Sequence, residues 1–105
     1  MAATVYVLSD FRQRDFWDQE CAVITDAEPA LMAAPDCALI SGIDFYGYTV
    51  FNETQVPRLL AEMRALAERS ADEAVRRNLG EIVEFVERRR QANRTEDQYV
   101  VFLGD

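Results

Sequence analysis

The feature that most constrains this chain is a pair of adjacent segments with apolar residues at helical spacing. In the first, apolar side chains recur every three or four residues from Val56 to Ala67, with arginine and glutamate on the other face. The second repeats the pattern from Val75 to Val86. Residues 70–73 read Ser-Ala-Asp-Glu, a capping box that predicts the start of the second helix. Two amphipathic helices need a shared apolar surface, which the rest of the chain must supply.

Short apolar segments predict the strands of that surface. Residues 4–8 and 99–103 are β-branched and aromatic at both alternating sets of positions, which is typical of strands in the middle of a sheet. Further strands are predicted at residues 21–25, 37–41 and 46–51. The sequence therefore predicts a single domain over residues 1–105 of the α+β class. It has two layers, with a small mixed or antiparallel sheet of about four to five strands packed on two long amphipathic helices.

Local signals set the expected helix boundaries. A short helix is predicted over 26–34, with Asp26 as its N-cap. Thr54 is the expected N-cap of the first long helix, which places Pro57 in the first turn, where its missing N–H costs no helical hydrogen bond. Gly80 lies in the middle of the second long helix and is expected to weaken it by about 1 kcal/mol relative to alanine.

Two missing residue types exclude several kinds of chemistry. The chain contains no histidine, and all 11 of its basic residues are arginine. Without histidine there is no Ser-His-Asp or Cys-His arrangement and no imidazole metal site. Without lysine there is no Schiff-base chemistry and no P-loop. We therefore expect no catalytic residues, no metal, no cofactor and no enzymatic activity.

The cysteines and the hydropathy pattern indicate an intracellular protein. Cys21 and Cys37 lie in apolar runs, where a reduced thiol packs as a small apolar side chain. No apolar run approaches the length needed to cross a bilayer, and the N-terminus lacks the basic and apolar regions of a signal peptide. The expected compartment is the cytoplasm.

Charge is distributed unevenly along the chain. Residues 1–57 carry nine acids and two arginines, a net charge of −7, whereas residues 58–105 carry ten acids and nine arginines, a net charge of −1. No basic residue lies between Arg14 and Arg58. A solubilising surface is one interpretation of this pattern. The other is that a field of one sign attracts a basic protein partner and repels nucleic acid, with no role at a membrane.

Two segments of the acidic half combine carboxylates with aromatic side chains. In the first, an exposed tryptophan beside carboxylates would suit an arginine-bearing partner, and the candidate partner-binding residues are Asp15, Trp17, Asp18 and Glu20. In the second, tyrosines adjoin glycine and acids, and the candidates are Asp44, Tyr46, Tyr48 and Glu53. The alternative is structural: Trp17 plugs one end of the core, and the aromatics of the second segment pack on the helices. Packing is the favoured interpretation for Phe45, Val50 and Phe51.

The second segment also carries a resemblance. The run IDFYGYTVFN from Ile43 to Asn52, followed by an amphipathic helix and the closing residues 99–105, resembles a group of small acidic uncharacterised actinobacterial proteins. In that group proline is expected at position 45 and aspartate at position 48, where this sequence has Phe45 and Tyr48. In general character the chain is similar to immunity proteins of bacterial toxin systems.

The similarity to immunity proteins implies a non-enzymatic, protein-binding function. Such a protein neutralises a cognate toxin by occluding its basic active or substrate-binding surface. One alternative is a regulatory or scaffold subunit that self-associates as a homodimer through an apolar helix face. A further and weaker alternative is a carboxylate- or metal-dependent enzyme.

Overall fold

The described part of the chain, residues 3–9, 19–92 and 98–104 of a computed structural model, forms an antiparallel sheet with helices packed on it. Its strands are β1 (Thr4–Leu8), β2 (Ala22–Val23), β3 (Tyr48–Phe51) and β4 (Tyr99–Leu103). Its helices are α1 (Glu28–Met32), α2 (Val56–Arg69) and α3 (Glu73–Ala92), with a 3₁₀ helix at Ile40–Gly42. This architecture confirms the predicted two-layer α+β class. None of the helices in these ranges is both long enough and apolar enough to span a membrane.

The first and last strands occupy the middle of the sheet, as their sequences predict. The strand order is β2-β1-β4-β3, and β1 pairs with β4 from Thr4 opposite Leu103 to Leu8 opposite Tyr99. Alternate residues of these strands join two different apolar clusters. Val5, for example, belongs to the main core, whereas Leu8 belongs to a cluster on the opposite face. Because apolar clusters lie on both faces, neither set of alternating positions can be polar.

The main core lies between one face of the sheet and the two long helices. The apolar stripes of both helices are buried there, with Leu59 and Met63 of α2 and Leu79 and Ile82 of α3 almost inaccessible to solvent. The apolar faces by which the sequence identifies the two helices are therefore buried within the domain.

Segment 37–41, predicted to be a strand, instead leads into the 3₁₀ helix. The carboxylate of Glu62, on α2, accepts hydrogen bonds from the N–H groups of Leu39 and Ile40, each at 3.0 Å. Its side chain is only 13% exposed and also pairs with Arg58 at 3.4 Å. These contacts hold the backbone in a turn, so its N–H groups do not join a sheet. The apolar run alone does not reveal a partner 22 residues further along the chain.

The predicted helix N-caps are wrong by one or two positions. In α3, which begins at Glu73, the carboxylate of Asp72 accepts a hydrogen bond from the N–H of Ala74 at 2.9 Å, so Asp72 caps the helix rather than Ser70. The other N-cap positions are Ala27 rather than Asp26 and Gln55 rather than Thr54, neither with a side-chain cap. Several short polar residues lie near each helix start, and the sequence does not decide between them.

A buried asparagine fixes the chain between β2 and α1. Asn78, in α3, is 5% exposed. Its Oδ1 accepts hydrogen bonds from the N–H groups of Thr25 at 2.8 Å and Ala27 at 3.0 Å, and its Nδ2 donates to the carbonyl of Val23 at 3.0 Å. The amide therefore satisfies three backbone groups at the entrance to α1 and sets the position of that short helix on α3.

Candidate partner-binding groove

An open groove of about 370 Å³ lies between the C-terminal end of α1, the 3₁₀ helix and the loop that precedes β3. Its lining is formed by Leu31, Met32, Ala34, Pro35, Ile40, Ser41, Ile43, Asp44, Phe45 and Tyr46. Most of these side chains are apolar. Asp44 contributes a carboxylate, and none of the ten is basic. The groove can therefore bind apolar groups and can attract a cation, but it is unsuited to an anion.

Two large exposed side chains stand at the rim of this groove. Tyr46 is 80% exposed and Met32 is 54% exposed, the highest values among the large apolar side chains of the described residues. The floor beneath them contains buried side chains such as Leu31, Ile40 and Phe45. Exposed aromatic and methionine side chains over an apolar floor are typical of protein contact surfaces.

Hydrogen bonds within the loop set the directions of Asp44 and Tyr46. The N–H of Asp44 donates to the hydroxyl oxygen of Thr49 at 2.9 Å. The Oδ1 of Asp44 in turn accepts a hydrogen bond from the N–H of Tyr46 at 2.9 Å, which forms an Asx turn. Phe45 is buried and Tyr46 points outward. Asp44 and Tyr46 are thus positioned by hydrogen bonds of the loop and not by burial of their own side chains.

Two glycines allow this loop to lie close to the end of β4. The N–H of Gly104 donates to the carbonyl of Gly47 at 2.7 Å. A Cβ at position 104 would collide with the carbonyl oxygen of Phe45, and a Cβ at position 47 would lie 2.5 Å from Oδ2 of Asp44. At position 104 the close atoms are backbone, so a side chain is excluded there, whereas at position 47 only the Asp44 carboxylate would have to shift. The groove therefore depends on the end of the closing strand.

Glu20 and Glu53, two of the predicted contact residues, form ion pairs within the domain. Glu20 pairs with Arg88 at 3.0 Å, and Glu53 pairs with Arg90 at 2.8 Å. Glu53 also accepts the N–H of Gln98 at 2.9 Å. Hydrogen bonds from Arg88 and Arg90 lower the pKa of these two carboxyls below the ordinary value. Both acids therefore connect the C-terminal end of α3 to the loops beside it.

Asp36 follows the same pattern. It pairs with Arg69 of α2 at 2.6 Å, and hydrogen bonding from that guanidinium lowers the pKa of its carboxyl. Among the described residues between positions 19 and 57, the acids that pair with no described arginine are Asp26, Glu28 and Asp44. The acidic half is thus partly neutralised in space by arginines of the other half.

The predicted contact residues do not form one cluster. Asp44 and Tyr46 lie together at the groove, and Tyr48, which is 44% exposed, follows them on the edge strand β3 but outside the groove lining. Glu20 precedes β2 at the opposite edge of the sheet, about 14 Å away at the usual strand spacing. The candidates Asp15, Trp17 and Asp18 lie outside the described residues. Phe45 and Phe51 are buried in the main core with the helices, which confirms their predicted packing role, whereas Val50 packs in the second cluster on the opposite face of the sheet.

Met32 is the rim residue that the sequence did not identify. The short helix α1 carries apolar residues on several sides, so its sequence does not show which of them is buried. Leu31 is buried while its neighbour Met32 is exposed, and this difference depends on how α1 packs. A surface methionine beside a tyrosine is visible only once the fold brings residues 32 and 46 to one groove.

The described residues offer limited material for other chemistry. They contain no group of three or more cysteine, aspartate or glutamate side chains placed to hold a metal ion. Both cysteines carry free thiols, with Cys37 buried and Cys21 half-buried. The sulfur of Cys37 lies 3.7 Å from a guanidinium nitrogen of Arg69. Cys37 belongs to the main core and Cys21 packs against the second cluster, as predicted, but the contact of Cys37 with Arg69 is polar and was not predicted.

Comparison with known proteins gives no match to a protein-family model, to a curated protein or to a solved structure. The resemblances to small acidic actinobacterial proteins and to immunity proteins therefore stay predictions.

Proposed function

We propose that this protein is an immunity-type binding domain that neutralises a basic toxin by occluding the toxin's active or substrate-binding surface. The observation that carries the proposal is the groove, where exposed Tyr46 and Met32 stand over an apolar floor beside Asp44. Aromatic and methionine side chains supply contact area in protein interfaces, and a carboxylate at the same place favours a cationic partner. The groove lies at the small end of the volume range of small-molecule sites and is open to solvent, which favours a protein partner.

The charge of the domain supports a basic partner. The net charge is −8, and such a charge steers a cationic protein towards the domain over distances of about one Debye length, roughly 8 Å at physiological salt. Glu28, which pairs with no described arginine, lies four residues before Met32 on α1 and therefore on the same side of that helix. It adds negative charge at the start of α1, while Asp44 is the carboxylate of the groove lining itself.

Self-association through an apolar helix face has less support. The apolar residues of α2 and α3 that would form such a face are buried within the domain, among them Leu60, Leu66 and Val83. Light scattering of the purified protein still separates the two proposals, because a stable homodimer favours the scaffold function.

The experiment that tests the proposed function compares matched baits in a pull-down from a lysate of the source organism. Wild-type protein, Tyr46→Ala and a distant control, Glu81→Gln, are immobilised, and bound proteins are eluted in salt steps and identified by mass spectrometry. We expect wild type and Glu81→Gln to retain the same basic protein, and Tyr46→Ala to retain less of it, because the truncation removes a groove contact.

Neutralisation is then tested directly. The retained protein, expressed alone in a heterologous host, is expected to arrest growth, and co-expression of the wild-type domain is expected to restore it. A retained protein that is harmless when expressed alone contradicts the immunity function. Equal retention by wild type and Tyr46→Ala contradicts the assignment of the groove as the contact surface.

A further inference from the structure

We infer that the groove recognises an arginine next to a large apolar residue on its partner. The guanidinium lies between the carboxylate of Asp44 and the ring of Tyr46, and the neighbouring apolar side chain rests on the groove floor. This inference rests on the proposed function, because it specifies the chemistry of the segment that the groove binds.

The cation-binding half of this site is formed by a single turn. Asp44 Oδ1 accepts the N–H of Tyr46, which fixes the orientation of the carboxylate without neutralising its charge. The ring of Tyr46, two residues along, is largely exposed and can offer its face to a cation. Arginine fits this pair better than lysine, since its planar guanidinium can bond a carboxylate and stack on an aromatic ring at the same time. No described arginine of the domain pairs with Asp44.

The apolar half of the site is formed by the groove floor. Buried side chains from α1, the 3₁₀ helix and the loop before β3 meet there, with Ile43 and Phe45 next to the cation-binding turn. Met32 of α1 also lines the groove, and its exposed, flexible thioether side chain can adapt to different apolar groups. A groove of about 370 Å³ has room for a large side chain and part of its backbone. The combination favours a short segment of protein over a free cation.

Charge complementarity distinguishes this partner from other macromolecules. The groove lining contains no basic residue, and Asp44 adds a negative charge to it, in a domain whose net charge is −8. A phosphate backbone or an acidic peptide is therefore repelled. The exposed ring and the apolar floor supply the contact area that an exposed ion pair lacks when it acts alone.

The test is selection of random peptides displayed on phage against the full-length protein. Arginine directly beside leucine, isoleucine, methionine or phenylalanine is expected in the enriched sequences. The best peptide is then synthesised with a fluorescent label, and its Kd is measured by polarisation. Asp44→Asn is expected to weaken binding about tenfold through the lost charge-assisted hydrogen bond, and Tyr46→Ala about fivefold through the lost ring.

Matched variants keep the test specific. Glu81→Gln, the matched control for charge, removes the same charge from an exposed site on α3 and is expected to change the Kd by less than about twofold. Tyr46→Phe keeps the ring and is expected to bind like wild type. Circular dichroism and thermal melting establish that each variant is folded.

The possible outcomes separate this inference from the proposed function. Enriched peptides without arginine, or an Asp44→Asn variant that binds like wild type, overturn the inference. Selection that yields no peptide at all also overturns it, because the groove then recognises no short segment. In each of these cases a basic toxin that is retained by wild type and lost by Tyr46→Ala still supports the proposed function, with a folded surface as the contact.

Discussion

Replacing Asn78 with alanine tests the contact that sets the position of α1. The change removes the acceptor for the N–H groups of Thr25 and Ala27 and the donor to the carbonyl of Val23. Ala27 is completely buried, so its N–H group loses its partner without access to water, at a cost of about 1–3 kcal/mol. Thr25 and Val23 are exposed, so water replaces part of their hydrogen bonding, and each loss costs about 0.5–1 kcal/mol.

The expected total is a loss of about 2–5 kcal/mol in the free energy of unfolding. The assay is equilibrium urea unfolding followed by circular dichroism, with the m-value compared between variants to establish that the unfolding transition is unchanged. For a domain of this size the same loss lowers the Tm by roughly 10–25 °C. Arg77→Ala, at the exposed neighbouring position, is the control and is expected to stay within about 0.5 kcal/mol of wild type.

Asn78→Asp separates the two roles of the amide. An aspartate still accepts the N–H groups of Thr25 and Ala27, but its second oxygen faces the carbonyl of Val23, so the ionised variant is destabilised. Protonation restores a donor, and the deficit relative to wild type is expected to shrink as the pH falls. If Asn78→Ala and Arg77→Ala have the same urea midpoint, this explanation is wrong, because the three hydrogen bonds of Asn78 then make no net contribution to stability.

Further predictions concern the replacement of glycines by alanine and the pH dependence of the ion pairs. Gly80→Ala is expected to stabilise α3 by about 0.5–1 kcal/mol, because alanine favours the helix and nothing lies within 4 Å of the added Cβ. Gly104→Ala is expected to destabilise the protein, because the added Cβ collides with the backbone of Phe45. Urea midpoints measure both changes. Folding lowers the pKa of Glu20, Asp36 and Glu53 from the ordinary values of 4.5 for glutamate and 3.8 for aspartate. These carboxylates therefore stabilise the folded state above the ordinary pKa, and this stabilisation is lost as the pH falls through the lowered pKa. Urea midpoints between pH 6 and pH 2.5 should therefore decline, with a shallower slope for Glu53→Gln, and an identical slope would contradict the ion-pair assignment.

The sequence predicts those parts of the fold that depend on neighbouring residues. The helical spacing of apolar residues in α2 and α3 indicates that one face of each helix is buried. In β1 and β4 apolar residues occupy both odd and even positions, which indicates apolar clusters on both faces of the sheet. Both patterns arise within a single element, and they lead directly to the central strands and the helical layer.

Features that depend on distant residues could not be predicted in this way. The 3₁₀ helix requires the carboxylate of Glu62, and the loop at the groove requires that position 104 carry no side chain. The role of Asn78 is also invisible in the sequence, since a polar residue in an amphipathic helix is expected at the surface. Of the candidate site, Asp44 and Tyr46 could be proposed from the combination of acids and aromatics, but their shared groove with Met32 depends on the packing of α1.

The ion pairs between the two halves change how the acidic sequence is interpreted. A net charge of −7 in residues 1–57 suggests a broad negative face, but Glu20, Asp36 and Glu53 are each bound by an arginine of α2 or α3. Among the described acids of that half, those that pair with no described arginine are Asp26 and Glu28 at the start of α1 and Asp44 in the groove lining. Asp44 lies there with Tyr46 and Met32, the most exposed large apolar side chains of the described residues. Internal pairing therefore leaves Asp44 as the carboxylate that a partner meets in the groove, so that charge and apolar contact area coincide there. This coincidence is the physical reason for assigning the partner surface to the groove rather than to the acidic half as a whole.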